Sequence, residues 1–170
     1  MVIWIIGLSG SGKTTIGTLL ADRIRAKYKN VVFLDGDILR DVWGDSPGHD
    51  IDGRRINARR YSHLCKFLDS QGVHVVAAAL SIFPEWQAWN RTTFAQYFEV
   101  FLDVPMDILK VRDTKGLYQK ATQGEDANVV GVGIPFPRPV KADLVIDGSE
   151  QEKRTPSEIV DSIVDALPRY

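Results

Sequence analysis

A glycine-rich stretch near the start of the chain has the residue types and the spacing to hold phosphate groups. Residues 7–15 read GLSGSGKTT and match G-x-x-x-x-G-K-[ST] directly behind the apolar run 2–6. The backbone N–H groups of such a loop point at an anion, and the N-terminus of the following helix adds partial positive charge. The lysine reaches the β and γ phosphates, and the threonine hydroxyl ligates Mg²⁺. We therefore predict that ATP and Mg²⁺ bind at Gly7, Ser9, Gly10, Ser11, Gly12, Lys13, Thr14 and Thr15.

Two aspartates follow the second apolar run. The segment LDGDILR places Asp35 at the predicted carboxyl end of a strand and Asp37 two residues later. A phosphoryl acceptor needs its hydroxyl oriented and partly deprotonated, and the metal needs a nearby carboxylate. Turn hydrogen bonds around Gly36 are the alternative use of these side chains. We predict Lys13, Asp35 and Asp37 as catalytic residues and Thr14 with Asp35 as the metal site; which aspartate is the base stays open.

An unusual density of arginine comes next. Arg54, Asn57 and Arg60 stand three residues apart, so on a helix they share one face, and Arg40 lies upstream of them. Guanidinium groups in such a cluster can grip phosphate or sulfate oxygens with paired donors. A solvated helix face is the alternative explanation of a charge run. Because the chain as a whole has no positive charge to explain the cluster, we predict an anionic acceptor.

These features favour a small-molecule kinase over other phosphate-binding proteins. The segment TKGL at 114–117 lacks the final aspartate of the guanine-recognition motif, so ATP is the expected donor. A non-catalytic nucleotide sensor is the alternative from another class. In such a sensor we expect Lys13, Thr14 or Asp35 to be replaced by another residue type, and all three are present.

Composition limits the other classes of function. The 170 residues are 44% hydrophobic and 25% charged, which fits one globular domain over residues 1–170. A net charge of −1 gives no positive potential that would attract nucleic acid or an anionic membrane. No apolar run approaches the ~20 residues of a membrane span. One cysteine, Cys65, cannot form an internal disulfide. We expect a cytoplasmic protein without nucleic-acid or membrane partners.

Apolar runs and helical patterns alternate along the chain. Near-continuous apolar runs separated by helices predict an α/β fold with a mostly parallel central sheet covered on both faces, which places ligands at the carboxyl ends of the strands. The predicted strands are 2–6, 31–35, 73–80, 97–104 and 142–148. The predicted helices are Lys13 to Lys27, Arg54 to Gln71, 85–95, 105–113 and a last one after Thr155.

Finer expectations concern single helices and the segments between them. Ile56, Leu64 and Leu68 are expected to face inward on the helix from Arg54. The charged segment 36–53 is rich in Gly, Asp and Pro. The one long segment without a regular pattern is 114–141, which at that length predicts a lid or a disordered loop.

Taken together, the chain resembles the adenylyl-sulfate (APS) kinase family, whose members transfer the γ-phosphate of ATP to the 3′-hydroxyl of APS on a three-layer P-loop kinase fold. The resemblance covers almost the whole chain. The segments that carry it are GLSGSGKTT, LDGDILR, the R-x-x-N-x-x-R spacing at Arg54, FEVFLDVP, RDTKGLYQKA and ADLVIDG.

The resemblance implies roles for individual residues. Asp35 corresponds to an acceptor-activating or metal-associated carboxylate, and Ser81 to the serine of the family's I-S-P segment. The lid, at about 114–141, would carry Lys115 in its K-G-L-Y motif with Arg112 just before it on the ATP side, and would exclude water from the γ-phosphate. A homodimer is also implied. The implied acceptor contacts are Asp35, Arg40, His49, Arg54, Asn57, Ser81, Lys115 and Val129.

The departures from the family lie on the acceptor side. His49 and Val129 stand where the family has aromatic residues that stack on the acceptor base, and Ile82 replaces the proline of I-S-P. Stacking is worth ~1–3 kcal/mol per base in single-strand binders, so its loss lowers affinity for adenine by about ten- to a hundredfold. Either the pocket of an APS kinase is rearranged, with His49, Phe83 or Trp86 supplying new faces, or the acceptor is another nucleotide such as cytidine diphosphoramidate. APS is the nominal acceptor.

Overall fold

The computed structural model describes residues 1–44, 47–151 and 153–168. Over these ranges five strands form one sheet in the order β2-β3-β1-β4-β5, and every neighbouring pair is parallel. The predicted parallel sheet is therefore confirmed. The strands are β1 Val2–Ile6, β2 Val31–Asp35, β3 His74–Ala79, β4 Tyr97–Asp103 and β5 Leu144–Asp147.

Helices cover both faces of this sheet, so the predicted three-layer α/β/α architecture is also confirmed. The helices are α1 Lys13–Arg25, α2 Gly36–Trp43, α3 Ile51–Ser70, α4 Pro84–Thr93, α5 Met106–Val111, α6 Leu117–Thr122, α7 Gly148–Gln151 and α8 Pro156–Ala166. One face carries α1 and α8, whose buried Leu20 and Ile163 join a core with Ile3 and Ile5. The other face carries α3, whose Tyr61 and Cys65 pack against Trp4. None of the described helices has the length and apolar character of a membrane span.

Between β2 and β3 the structure adds one helix and moves the start of another. Part of the charged segment 36–53 is helical, because the carboxylate of Asp35 caps the N-terminus of α2; residues 45 and 46 lie outside the described residues. The next helix begins at Ile51 and not at Arg54, because Asp50 accepts a hydrogen bond from Gly53 N–H at 2.8 Å.

The inward face of α3 also differs from the predicted one. Ile56 is 45% exposed, whereas Leu64 and Leu68 pack against the core as expected. The buried face instead follows the four-residue spacing of Gly53, Asn57, Tyr61 and Cys65, which includes a buried polar residue that apolar periodicity cannot detect. Arg54 and Asn57 of this helix thereby lie near the carboxyl ends of the strands.

The segment 114–141 contains more regular structure than expected. It includes α6, which starts after Gly116 in the left-handed region at φ 65°. The carboxylate of Asp113 accepts hydrogen bonds from the N–H groups of Leu117, Tyr118 and Gln119 at 2.8, 2.7 and 3.1 Å. The Tyr118 hydroxyl donates to Ser9 O at 2.8 Å, so this segment is tied to the glycine-rich loop.

The last helix offers a test of local stability. Thr155 and Glu158 form the predicted capping box, with Pro156 at the first helical position of α8. Thr155→Ala removes the cap and should lower the free energy of unfolding by ~1 kcal/mol in chemical denaturation. Thr155→Ser keeps the hydroxyl and should remain close to the wild type; equal losses for both variants would show that the cap is not what stabilises the helix.

Candidate functional site

The carboxyl ends of β1, β2 and β3 open into a cavity of about 930 Å³, where a parallel sheet is expected to bind its ligand. The glycine-rich loop, α2, α3 and the segment around α6 contribute its walls. The structure brings most of the predicted site residues to this one cavity. They are Ser9, Gly10, Gly12, Lys13, Thr14, Thr15, Asp35, Asp37, Arg40, His49, Arg54, Asn57, Ser81, Arg112 and Lys115.

The loop itself has the geometry of an anion cradle. Gly10 and Gly12 adopt φ 77° and 92°, a conformation that L side chains rarely take, and α1 follows without a side-chain cap from the described residues. The N–H groups of its first turn are therefore available to an anion. Gly7 and Ser11 lie beneath the loop and not in the cavity wall: a Cβ on Gly7 would come within 2.5 Å of Ser11 Oγ, and Ser11 is fully buried.

Lys13 carries the main cationic group of the loop. Its Nζ donates to Leu8 O at 2.7 Å, which folds the side chain back over the loop. Burial lowers the pKa of Lys13 to about 8, although the nearby carboxylates of Asp37 and Asp35 oppose the shift. A phosphate that binds beside Lys13 would favour the protonated, charged form of this side chain.

The predicted metal site consists of oxygen ligands that already meet. Thr14 Oγ1 donates to Asp35 Oδ2 at 2.7 Å, and Asp35 Oδ1 accepts from the N–H groups of Asp37 and Ile38 at 2.9 and 3.4 Å. Hydroxyl and carboxylate oxygens are the donors that Mg²⁺ prefers, so these residues fit the ion. The predicted turn hydrogen bonds of Asp35 are present as well, and they hold the carboxylate in place.

Asp37 differs from Asp35 in its surroundings. Its side chain is 83% exposed at the first turn of α2, and one carboxylate oxygen lies 3.9 Å from Lys115 Nζ. Both of its neighbours across the cavity, Lys13 and Lys115, are cations. Asp35 is thus a fixed carboxylate behind the metal ligand, while Asp37 faces the open space of the cavity.

Arg40, Arg54 and Asn57 of the predicted arginine cluster lie together in the cavity wall, whereas Arg60 does not line the cavity and lies 5.9 Å from the Trp43 ring centroid. The Asn57 amide oxygen, in the orientation that satisfies both side chains, accepts from the two terminal nitrogens of Arg40 at 2.6 and 3.1 Å. Arg54 donates to His49 O at 2.7 Å and to Asn128 O at 2.8 Å, so it connects α3 to the lid segment. Each guanidinium is positioned by these bonds before any ligand arrives.

The electrostatics of this wall favour an anion. The pKa of Arg40 is lowered by burial, and the pKa of Arg54 is lowered by burial and by the charge of Arg40. The pKa of His49 is lowered by burial and by both guanidinium groups, so the imidazole is neutral at pH 7. The carboxylates of Asp37 and Asp126 oppose the lowering of the pKa of Arg54, and Asp37 does so for Arg40. The two adjacent guanidinium groups, which carry paired donors, form a site for phosphate or sulfate.

Residues at the end of β3 complete the wall. Ser81 has φ 54°, a left-handed conformation that a residue other than glycine seldom adopts, and Trp4 Nε1 donates to its Oγ at 2.5 Å. Phe83 and Trp86 line the cavity, as the hypothesis of replacement aromatic faces requires. Arg55 lies over the Phe83 ring at 4.4 Å from its centroid.

Val129 is the exception among the predicted acceptor contacts. It is 2% exposed, does not line the cavity, and packs with Leu109 and Tyr118 in an apolar cluster. The structure therefore does not bring Val129 to the cavity with the other predicted contacts, because its apolar side chain is buried within residues 114–141, and its acceptor contact stays a prediction.

Several cavity residues were missed by the sequence analysis. Asp113, which caps α6, could have been found, because it lies just upstream of the glycine that precedes this helix. The others carry no pattern that distinguishes them from core residues, since their exposure to the cavity depends on contacts between distant segments. They are Trp4, Tyr61, Ser62, Gln87 and Asn90.

The pKa of Lys13 predicts a pH dependence of nucleotide binding. The ammonium loses its proton as the pH rises through about 8, so the attraction for phosphate falls above that pH. The dissociation constant for Mg-ATP should rise about tenfold between pH 7 and pH 9. Titration calorimetry across this range would show the rise in the wild type and a flat profile in Lys13→Met; an equal slope in both proteins would assign the effect to another group.

Comparison with known proteins agrees with this geometry. Residues 1–147 match the model of the family described as adenylylsulphate kinase. A cytidine diphosphoramidate kinase of Campylobacter jejuni is 45% identical over 148 residues, which are 87% of this chain and 86% of the relative. An adenylyl-sulfate kinase of Paraburkholderia xenovorans is 38% identical over 149 residues, 86% of this chain and 82% of the relative.

A solved structure extends the match to three dimensions. The Mycobacterium tuberculosis APS kinase in complex with AMPPNP and APS superposes with a TM-score of 0.84 at 33% identity, over 97% of this chain and 95% of that one. The predicted resemblance is therefore confirmed by sequence and by structure. The chain belongs to the adenylylsulphate kinase family.

Proposed function

We propose that this protein transfers the γ-phosphate of ATP to the 3′-hydroxyl of a nucleotide that carries an anionic group at its 5′ end. The single observation behind the proposal is the layout of one cavity. A phosphate-binding loop, an acid pair and the Arg40–Asn57–Arg54 cluster all line it. One cavity therefore has groups that suit the donor phosphate, the attacking hydroxyl and the acceptor's anion.

On the donor side, the loop amides and Lys13 hold the β and γ phosphates. Thr14 Oγ1 is the residue that would ligate Mg²⁺, with Asp35 behind it, and the ion would shield the phosphate charge. Lys13 exchanges its bond to Leu8 O for a phosphate oxygen as the nucleotide enters. The analogue AMPPNP in the related tuberculosis enzyme supports ATP as the donor.

On the acceptor side, the two aspartates orient the hydroxyl that attacks the phosphate. Asp35 is held by the α2 N-terminus and by Thr14, which suits a fixed electrostatic role. Asp37 faces the cavity and is the second candidate for the base. Positioning and charge stabilisation provide most of the rate in such transfers, because little covalent chemistry falls to the protein.

The acceptor's anion binds to Arg40 and Arg54 with Asn57 and Ser81 beside them, and His49 forms part of the same wall. Residues 114–141 act as the lid. Arg54 holds Asn128 O of this segment, which couples an occupied acceptor site to lid position. Closure by Lys115 and Arg112 would exclude water from the γ-phosphate and so limit hydrolysis.

Two acceptors are candidates. APS is supported by the family and by the bound APS of the tuberculosis enzyme. Cytidine diphosphoramidate is supported by the 45% identical relative and by this chain's own residues, since the two expected stacking positions hold His49 and the buried Val129. The acceptor-side residues favour the cytidine nucleotide.

The experiment is a measurement of ADP release with a panel of acceptors at fixed Mg-ATP. We expect one of APS, cytidine diphosphoramidate, AMP or CMP to raise the rate at least a hundredfold over ATP alone, with a stronger response to cytidine diphosphoramidate than to APS. Stimulation by none of the four would favour the non-catalytic sensor instead.

We further propose that residues 1–170 act as one domain and that the protein works as a cytoplasmic homodimer. Family resemblance supports the dimer, and the confinement of the cavity residues to one sheet edge supports a single unit. Sedimentation equilibrium at micromolar concentration would measure the mass directly.

A further inference from the structure

Ser81, which follows the end of β3 by two residues, has a backbone conformation that its neighbours must hold. Its φ of 54° makes it the one residue other than glycine in the left-handed region among those that the structure describes. A side chain is strained in this region, so the conformation persists only where the surrounding contacts fix it. Residues of this kind cluster at functional sites, and Ser81 lines the cavity.

Two side chains from different elements fix Ser81. Trp4 of β1 donates its Nε1–H to the Ser81 hydroxyl oxygen at 2.5 Å. Gln87 of α4 donates from Nε2 to the Ser81 carbonyl oxygen at 2.6 Å. The first bond holds the side chain and the second holds the main chain, so both the rotamer and the strained backbone are fixed.

The indole of Trp4 is itself held in one orientation. It is 3% exposed, and its ring meets that of Tyr61 edge to face, with the centroids 5.1 Å apart. The Tyr61 hydroxyl accepts from Ala78 N–H at 3.0 Å and donates to Leu34 O at 2.6 Å. Since Tyr61 is anchored to β2 and β3 in this way, the N–H group of Trp4 has a fixed direction.

The bond from Trp4 determines what the Ser81 hydroxyl can do. An indole nitrogen only donates, so Ser81 Oγ is the acceptor in this pair. The proton of the hydroxyl must then point away from Trp4, where it can donate to another group. The oxygens of a sulfate or phosphate accept such a bond, and Arg40 and Arg54 in the wall of the same cavity attract an anion of this kind.

We propose that Trp4 and Gln87 are positioning residues: they fix Ser81 so that its hydroxyl donates a hydrogen bond to the anionic group of the acceptor nucleotide. This inference rests on the proposed function and deepens it. Position 4 lies within the apolar run 2–6, a pattern that indicates packing alone. A phenylalanine would pack there as well, but it would bring no donor for Ser81.

A double-mutant cycle separates this role from packing. Dissociation constants for cytidine diphosphoramidate and APS are measured by calorimetry with the Mg-ADP-loaded protein. For the nucleotide that the wild type binds more tightly, Ser81→Ala and Trp4→Phe should each raise the dissociation constant about fivefold or more. Adding Trp4→Phe to Ser81→Ala should raise it by less than about twofold, because the hydroxyl that Trp4 directs is already absent. The dissociation constant for Mg-ATP should change by less than about twofold in every variant, since Trp4 and Ser81 lie outside the glycine-rich loop.

A second cycle keeps the test decisive if Trp4→Phe does not fold. Gln87→Leu, at a half-buried position of α4, releases the Ser81 carbonyl and should weaken acceptor binding only while the Ser81 hydroxyl is present. Trp89→Phe is the matched control. It removes an indole N–H from α4 at a residue that does not line the cavity, and it should bind the acceptor as the wild type does.

Four outcomes decide the matter. Equal losses for Trp4→Phe with and without the Ser81 hydroxyl would show that Trp4 only packs, and would overturn the inference. Wild-type affinity in Trp4→Phe would overturn it as well. If neither nucleotide bound to the wild type, the inference would fail together with the proposed function. Binding with the expected coupling but without phosphoryl transfer would instead refute the proposed function and leave the inference standing.

Discussion

Lys13→Ala should lower kcat/KM for ATP by at least a thousandfold at pH 7, equivalent to about 4 kcal/mol of transition-state stabilisation. Lys13 is the cation of the glycine-rich loop, and it is half-buried beside the anion cradle, where water screens its charge only weakly. Charge that builds on the transferring phosphate would be left without this compensation. Steady-state kinetics with a saturating acceptor measures the loss.

Lys27→Ala is the matched control for this change. Lys27 is an exposed lysine just beyond α1, where its ammonium lies 5.1 Å from the Tyr28 ring centroid and outside the cavity wall. It should keep kcat/KM within twofold of the wild type. A loss of less than tenfold in Lys13→Ala would show that the loop amides alone carry the donor phosphate.

The second large effect concerns the fixed carboxylate. Asp35→Asn keeps a side-chain oxygen to cap α2 but removes the charge next to Thr14 Oγ1, which lies 2.7 Å away. We expect kcat to fall by about two to four orders of magnitude, while the dissociation constant for ATP changes by less than fivefold. Single-turnover kinetics and calorimetry separate these two quantities.

Asp37→Asn shows which carboxylate acts as the base. If Asp35 has that role, Asp37→Asn should affect kcat less, since Asp37 is 83% exposed and its contact to Lys115 is as long as 3.9 Å. A larger loss of kcat in Asp37→Asn than in Asp35→Asn would assign the role of base to Asp37 instead. Asp107→Asn, an exposed carboxylate on α5, should behave as the wild type. Normal turnover in both Asp35→Asn and Asp37→Asn would contradict an acid-assisted transfer.

The features that could be predicted from the sequence are those that depend on local patterns. The P-loop can be recognised because its chemistry lies in nine consecutive residues between a strand and a helix, and buried parallel strands appear as apolar runs. Asp35 follows from its place at a strand end. These signals do not depend on how distant segments pack.

The side-chain placements that could not be predicted depend on contacts between distant segments. Val129 occupies a motif position of the family, yet its side chain is buried with Tyr118, which no local pattern reveals. The wall formed by Ser62 of α3 and Asn90 of α4 needs two helices that are distant in sequence to meet. Asn90 has the sequence neighbourhood of an ordinary helix residue, although it is buried and lines the cavity.

The fate of the γ-phosphate is the most direct test of the central idea, that this cavity joins ATP to a sugar hydroxyl. The purified protein is incubated with γ-labelled ATP, Mg²⁺ and cytidine diphosphoramidate or APS, and the products are separated and located by ³¹P NMR. We expect the label on the acceptor's 3′-oxygen, with one ADP formed for each labelled product. Label found only in inorganic phosphate, with the acceptor unchanged, would contradict the proposed transfer.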